Sequence, residues 1–316
     1  MKNLRLIPDD TKIDFLGKRF LCFGLSAILM IGSLALVATR GLNFGIDFTG
    51  GTLIEVAVPQ DPDLPALRSA LNTLDLGTVS LQEFGDKRNL MIRLGQQPGG
   101  PEAQKAAIGK VQAKLAEIFP TAPVDYRRTE YVGPQVGKEL KLTGLYAMLF
   151  SMAGILAYIW MRFEWQFGVG AVLSVVHDAI ATLGLFSITH MEFDLSTLAA
   201  VLLVAGYSIN DTVVVFDRIR ENLRKYKKIP LPDLFNLSVN QMLSRSIMTS
   251  LTTLLALTAL LIFGGDVIRS FTYALVFGIL VGTYSSVYVA APLLLYLNLR
   301  RERPEPQKTD APTLAS

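Results

Sequence analysis

The sequence predicts a polytopic α-helical membrane protein with six transmembrane helices and one α+β, ferredoxin-like extracytoplasmic domain. Three observations predict it. Six apolar runs are long enough to cross a hydrocarbon core, which takes roughly 20 residues at about 1.5 Å rise each. Only 18% of the 316 residues are charged and 51% are hydrophobic, against about 25% charge in an ordinary soluble chain. Between the first two runs, about 100 residues carry the mixed periodicities of a folded α+β unit.

Residues 1–19 form a basic amino-terminal segment with Lys2, Arg5, Lys12, Lys18 and Arg19. The first span is expected at 20–39. The preceding Lys18-Arg19 is like a signal-peptide n-region, but the run is long and no small-residue cleavage site follows it. An uncleaved anchor is therefore expected. The remaining spans are expected at 142–161, 167–188, 193–216, 246–263 and 271–297, within a five-helix bundle over 142–299. A basic loop at 217–244 carries Arg218, Arg220, Arg224, Lys225, Lys227 and Lys228, its first part continuing the fourth helix. The tail at 300–316 adds Arg300, Arg301 and Arg303. Positive charge marks the cytoplasmic side, so both termini fall inside and 40–141 falls outside. The net charge of +3 is too small and too unevenly placed to suggest nucleic acid. The basic loop reads as a solvated face against anionic membrane lipid. Cys22 is the one cysteine, which excludes an internal disulfide or a thiolate metal cluster.

The outside domain reads in order. A strand is expected at 52–58, between Gly50-Gly51 and Pro59. Leu64, Leu67, Leu71 and Leu74 recur at helical spacing, with Pro65 near the helix start, where its missing N–H costs nothing. Strands at 79–84 and 90–94 join through Gly85-Asp86. A second helix at 102–119 buries Ile108, Val111, Leu115 and Ile118, and a last strand fits 124–131. The order is β-α-β-β-α-β, the split ferredoxin-like motif. The domain has no histidine or cysteine, and no paired carboxylates are expected in a cleft, so a binding or mechanical role is expected.

Ionisable residues inside spans are costly and mark function by default. Asp178, after His177, lies near the middle of the third span. Asp211, after Asn210, lies in the cytoplasmic half of the fourth, and Arg245 opens the fifth. If helices four and five are neighbours, Asp211 and Arg245 meet at similar depth. Apolar surroundings disfavour a carboxylate and a nearby arginine favours it, so such a group can load and release a proton. Plainer readings exist for each. Asp211 can bond across a helix interface, Arg245 can serve as a positive-inside anchor, and His177-Asp178 can be a structural pair. Thr249, one turn from Arg245, is placed to steady it, and Gly278 with Gly282 forms a small-xxx-small packing pair in the sixth span.

Two stretches carry a family resemblance. Gly45-Ile46-Asp47-Phe48-Thr49-Gly50-Gly51 resembles the G-x-D-F-x-G-G signature of the SecD/SecF protein-export family. The run from Gly206 to Asn222, centred on Ser208-Ile209-Asn210-Asp211-Thr212, resembles the fourth-helix motif of that family's SecF branch. The resemblance implies a relative of the resistance-nodulation-division exporters, in a bacterial inner (cytoplasmic) membrane. It implies pairing with SecD, association with the SecYEG translocon and the SecA pathway, and promotion of preprotein export by the proton-motive force. Protons are then the coupling ion, and no metal or other cofactor is expected. By motif position the family's proton path falls on Asp211 and Arg245, with Asn210, Thr249 and Asp178 as further candidates. Half of a proton-driven small-molecule or lipid exporter of the same superfamily is the alternative. No P-loop, HExxH or nucleophile elbow suggests an enzyme.

Overall fold

The structure, a computed structural model, describes residues 11–77, 79–264, 268–297 and 299. Lys2, Arg5 and the basic tail at 300–316 lie outside the described residues. The first span is helix α1 (Arg19–Arg40). Its outward face carries Phe20, Leu21, Ile28 and Ile31, whereas its buried residues are Ser26 and Ser33. This inverts the pattern of a soluble helix. In lipid, apolar side chains need no burial and small residues let helices approach.

A two-residue strand β1 (Asn43–Phe44) and one helical turn α2 (Ile46–Thr49) lead into strand β2 (Gly51–Ala57). Then come α3 (Leu64–Asn72), β3 (Val79–Phe84), β4 (Asp86–Leu94), α4 (Gly100–Ile118) and β5 (Asp125–Val132). The expected β-α-β-β-α-β order is present, as an antiparallel sheet ordered β3-β4-β2-β5. Asp63 caps α3 by accepting from the Ala66 amide at 3.2 Å, which fixes the start that Pro65 marks. Strand β4 begins at Asp86 rather than at 90, because the chain reverses tightly at Gly85, whose φ of +71° suits glycine.

Ile54 lies opposite Ile92, and Val56 opposite Leu90. These side chains meet Leu67, Leu71, Val111 and Leu115 in a closed core under the two helices. Leu53 and Glu55 point to the other face, yet they too are buried. The sheet therefore has no free face at β2, because its second side closes onto the ends of the membrane helices.

The other spans are α5 (Pro134–Arg162), α6 (Trp165–Thr189), α7 (Leu195–Lys225), α8 (Leu231–Phe263) and α9 (Arg269–Ser285), with a short strand β6 (Glu192–Phe193) before α7. The apolar windows of α6 and α9 are 61% buried, against 11% for α1 and α5. Helices α6, α7 and α9 thus form the inner layer, and α1, α5 and α8 stand outside it. The fourth span starts at Leu195, not at 193, because Phe193 belongs to β6 and Asp194 caps the helix through the Thr197 amide at 2.7 Å. The stretch 217–244, expected as a loop, is mostly helical. Its first part completes α7 and its second opens α8 with Leu234, Phe235 and Val239 buried. The sixth span passes from α9 into a π-helical turn at Ser286–Ala290, just ahead of Pro292. A proline frees the carbonyl four residues before it, and the ladder adjusts locally.

At the end of the bundle away from the sheet, residues before α1 fold back onto α8. Phe15 and Leu16 are buried, and their amides both donate to Asn236 Oδ1 at 3.0 Å.

Candidate functional site

Helix α6 carries Asp178 and His177 into the centre of the bundle, where Asp178 is 0% exposed. One carboxylate oxygen meets His177 Nδ1 at 2.9 Å. The other accepts from Ser208 of α7 and, at 2.8 Å, from Ser285 of α9. Ser174 donates in turn to Ser285 at 2.9 Å. One turn further along, Thr212 and Ser286 bond each other at 2.8 Å. A carboxylate sealed in low dielectric is tolerable only when bonded in this way. His177 Nε2 is buried with no hydrogen-bond partner among the described residues.

Asp211 lies on the face of α7 that meets α8 and is buried, 6% exposed. Ser246 donates to its Oδ1 at 2.5 Å, while Oδ2 is buried with no partner among the described residues. Helices four and five are neighbours, which was the condition for Asp211 and Arg245 to meet. No ion pair joins the two among the described residues. Arg245 is exposed instead, because Ser246 takes the inward position on α8. Asn210 and Thr249 are also exposed. Thr249 does not hold the Arg245 side chain; its hydroxyl donates to the carbonyls of Arg245 and Ser246. Ser246 and Ser285 are functional candidates that the sequence left unmarked, and Ser208, marked only as part of the family motif, joins them. Their signal is a serine one helical turn from, or facing, an intramembrane carboxylate.

The signature segment sits where β2 leaves the bundle. Gly50 and Gly51 take φ of +71° and +114°, and a side chain on Gly51 would strike the Leu94 carbonyl. Phe48 packs against Phe44 and Phe193, with ring centroids 5.8 and 6.1 Å away. Asp47 accepts from the Leu195 amide at 3.0 Å. Beneath the sheet lies a cavity of about 200 Å³ lined by Asp47, Glu55, Glu130, Glu192, Arg128 and Arg269 among others. Carboxylates therefore do gather in a cleft of the domain, contrary to the sequence reading, because the odd-numbered side of β2 faces the bundle. Among the described residues no cluster of three or more His, Cys, Asp or Glu side chains is placed to hold a metal ion.

A bundle of membrane-length helices sealed around carboxylates, with a ferredoxin-like domain set between its first two spans, defines a polytopic membrane protein. The family model described as "Protein export membrane protein SecD/SecF, C-terminal" matches residues 110–300, and the SecD/SecF GG motif matches 35–60. The chain belongs to the SecD/SecF family of protein-export membrane proteins. The protein translocase subunit SecF of Cereibacter sphaeroides is 48% identical over 308 residues, covering 96% of this chain and 94% of its own. That of Rickettsia felis is 48% identical over 291 residues, 92% and 94% of the two chains. The crystal structure of SecDF from Thermus thermophilus, a translocon-associated membrane protein, matches with a TM-score of 0.84 at 35% identity over 92% of this chain. This chain spans 39% of that longer one.

Proposed function

We propose that this chain is the SecF half of a SecD–SecF complex that uses the proton-motive force to promote preprotein export through the Sec translocon. The observation that carries the reading is near-half identity to SecF subunits over almost the whole length of both chains. The longer SecDF chain leaves room for a second half, which supports a SecD partner. Positive charge at the amino terminus and along 217–228 supports cytoplasmic termini in the bacterial inner membrane, with the domain on the export side. The same membership supports association with SecYEG and the SecA pathway.

Asp211 is the proton carrier in this reading. One oxygen is held by Ser246 and the other is buried with no hydrogen-bond partner among the described residues, which leaves it open to a proton. Each charge moved down the membrane voltage supplies about 2.3 kcal/mol per 100 mV. Arg245 and Thr249 share one face of α8, and Asn210 is exposed on α7. Against lipid this polar surface is costly, so it is the face that meets SecD and completes the proton path. Asp178, with both oxygens bonded, ties α6, α7 and α9 together.

The test is Asp211→Asn in the reconstituted complex, read as export stimulated by a proton gradient. Stimulation is expected to be lost while ATP-driven export persists. Undiminished stimulation rejects the assignment, and a changed small-molecule efflux with normal export favours an exporter.

A further inference from the structure

The signature segment lies at the opposite end of the span from Asp211, yet it runs into the sheet on one side and is bonded to the Asp211 helix on the other. We propose that Asp47 is a positioning residue that fastens the extracytoplasmic domain to the first turn of α7, so that displacement of α7 at Asp211 reaches the sheet. The inference rests on the function proposed above and names the link through which it acts.

The link is a series of short connections. Strand β1 pairs in parallel with β6, Asn43 opposite Glu192 and Phe44 opposite Phe193. The Gly45 amide then donates to the Phe193 carbonyl at 2.9 Å. Next, the Asp47 carboxylate accepts from the Leu195 amide, one of the first-turn donors that a helix leaves without an internal partner. Helix α7 already has a cap of its own in Asp194. Asp47 is thus a second carboxylate on the same helix end, supplied from 148 positions away, where the positive end of the helix favours it.

A parallel tie comes from the sheet itself. Arg93 of β4 forms an ion pair with Glu192 at 2.8 Å and donates to Asn43 Oδ1 at 2.8 Å. Both charged side chains are largely buried, at 14% and 12% exposure. Beyond Asp47 the chain has little slack. Gly50 and Gly51 turn it directly into β2, close against Gln96, the Val132 carbonyl and the Leu94 carbonyl. From Leu195 the rigid α7 runs 16 positions (211 − 195) to Asp211, about 24 Å.

The test uses the full chain with its SecD partner in proteoliposomes. Cys22 is replaced by Ser, and spin labels are placed at Lys87→Cys on β4 and Arg224→Cys near the far end of α7. Asp211→Asn, which stands for the neutral acid, is expected to change the distance between labels. Asp47→Ala is expected to abolish that change, and Asp47→Asn, which keeps an oxygen for the Leu195 amide, to retain it. Gradient-stimulated export should fall about tenfold in Asp47→Ala, the scale of one lost helix-end contact. Proton entry should stay within about twofold of wild type, since that variant leaves the Asp211 site untouched.

If Asp47→Ala fails to assemble, Leu195→Pro removes the same bond from the donor side, at a position where helices accept proline. A distance change that survives loss of the bond overturns the proposal, as does no response to Asp211→Asn at all. Equal loss of proton entry and export also overturns it, marking a purely structural cap. Wild-type vesicles in which the gradient adds nothing to export reject the proposed function instead, and the distance readout still decides on Asp47.

Discussion

Ser246 donates a 2.5 Å hydrogen bond to Asp211, and it does so from the residue next to the arginine that sequence spacing had paired with that aspartate. The two side chains on α8 divide the work. The serine faces inward and bonds the carboxylate, while Arg245 reaches outward along the face where the polar surface of α7 and α8 is open. Ser246→Ala leaves both carboxylate oxygens without a donor, at a cost of about 1–3 kcal/mol. Thermal unfolding in detergent should show that loss, and Ser246→Thr, which keeps the hydroxyl, should restore most of it.

The small-xxx-small pair of the sixth span has identifiable targets. A side chain on Gly278 would run into Val204 of α7, and one on Gly282 would lie 3.0 Å from the Ser208 Cβ and 3.5 Å from Asp178 Oδ2. Gly278→Ala should therefore cost about 1–3 kcal/mol by wedging α9 from α7. Val204→Ala in the same chain should recover part of that cost, because the two positions share one contact. Additive effects of the two substitutions would show that they do not share that contact.

Glu192 makes the joint between domain and bundle sensitive to pH. Burial has the largest effect on it and pushes its carboxyl above the ordinary 4.5; the charges of Asp194 and Asp47 add to the rise and Arg93 opposes it. A group raised on folding binds its proton more readily in the folded state. Its favourable contribution is full below the unfolded value and is lost as pH rises through the folded one. Glu192→Gln has no such dependence. The stability of wild type relative to Glu192→Gln should therefore grow as pH falls through the raised value toward 4.5. A difference independent of pH between neutrality and pH 4.5 would contradict this.

Length and polarity announce spans, so all six were readable, as was the outside domain, whose leucine spacing and strand alternation are local signals. Burial inside the bundle was harder to read, because lipid removes the usual sign. Ser26 and Ser33 face inward on α1 while Phe20 and Ile28 face out. For the same reason the Ser246 hydroxyl that bonds Asp211 is harder to pick out in the sequence than the charge of Arg245 beside it. The cavity under the sheet was unreadable in another way. Glu55 alternates out of the domain core as a solvent residue does, and only the tertiary arrangement covers it.

The fold-back before α1 was the least legible feature, since so short a segment carries no periodicity. Its anchor is Asn236 on α8, whose Oδ1 accepts from the amides of Phe15 and Leu16 while its Nδ2 donates to Asp14 at 2.8 Å. Asn240 brackets Ile13, accepting from its amide and donating to its carbonyl. Asp14 also accepts from the Gly17 amide. That amide and Asn236 hold its carboxyl below the usual range, so its contribution persists above that range and is lost only as pH falls through the lowered value. Asn236→Ala leaves two part-buried amides unpaired, a cost of about 1–3 kcal/mol confined to this segment. Hydrogen exchange at 13–17 should accelerate about tenfold or more on that scale, with α6 and α9 unchanged. Asn236→Asp keeps the acceptor but sets a second carboxylate against Asp14. Its exchange should therefore be fast at neutral pH and slow as the solution is acidified, since protonation removes the repulsion. Fast exchange at every pH would show that the amide's donation to Asp14, not the acceptor, holds the segment down.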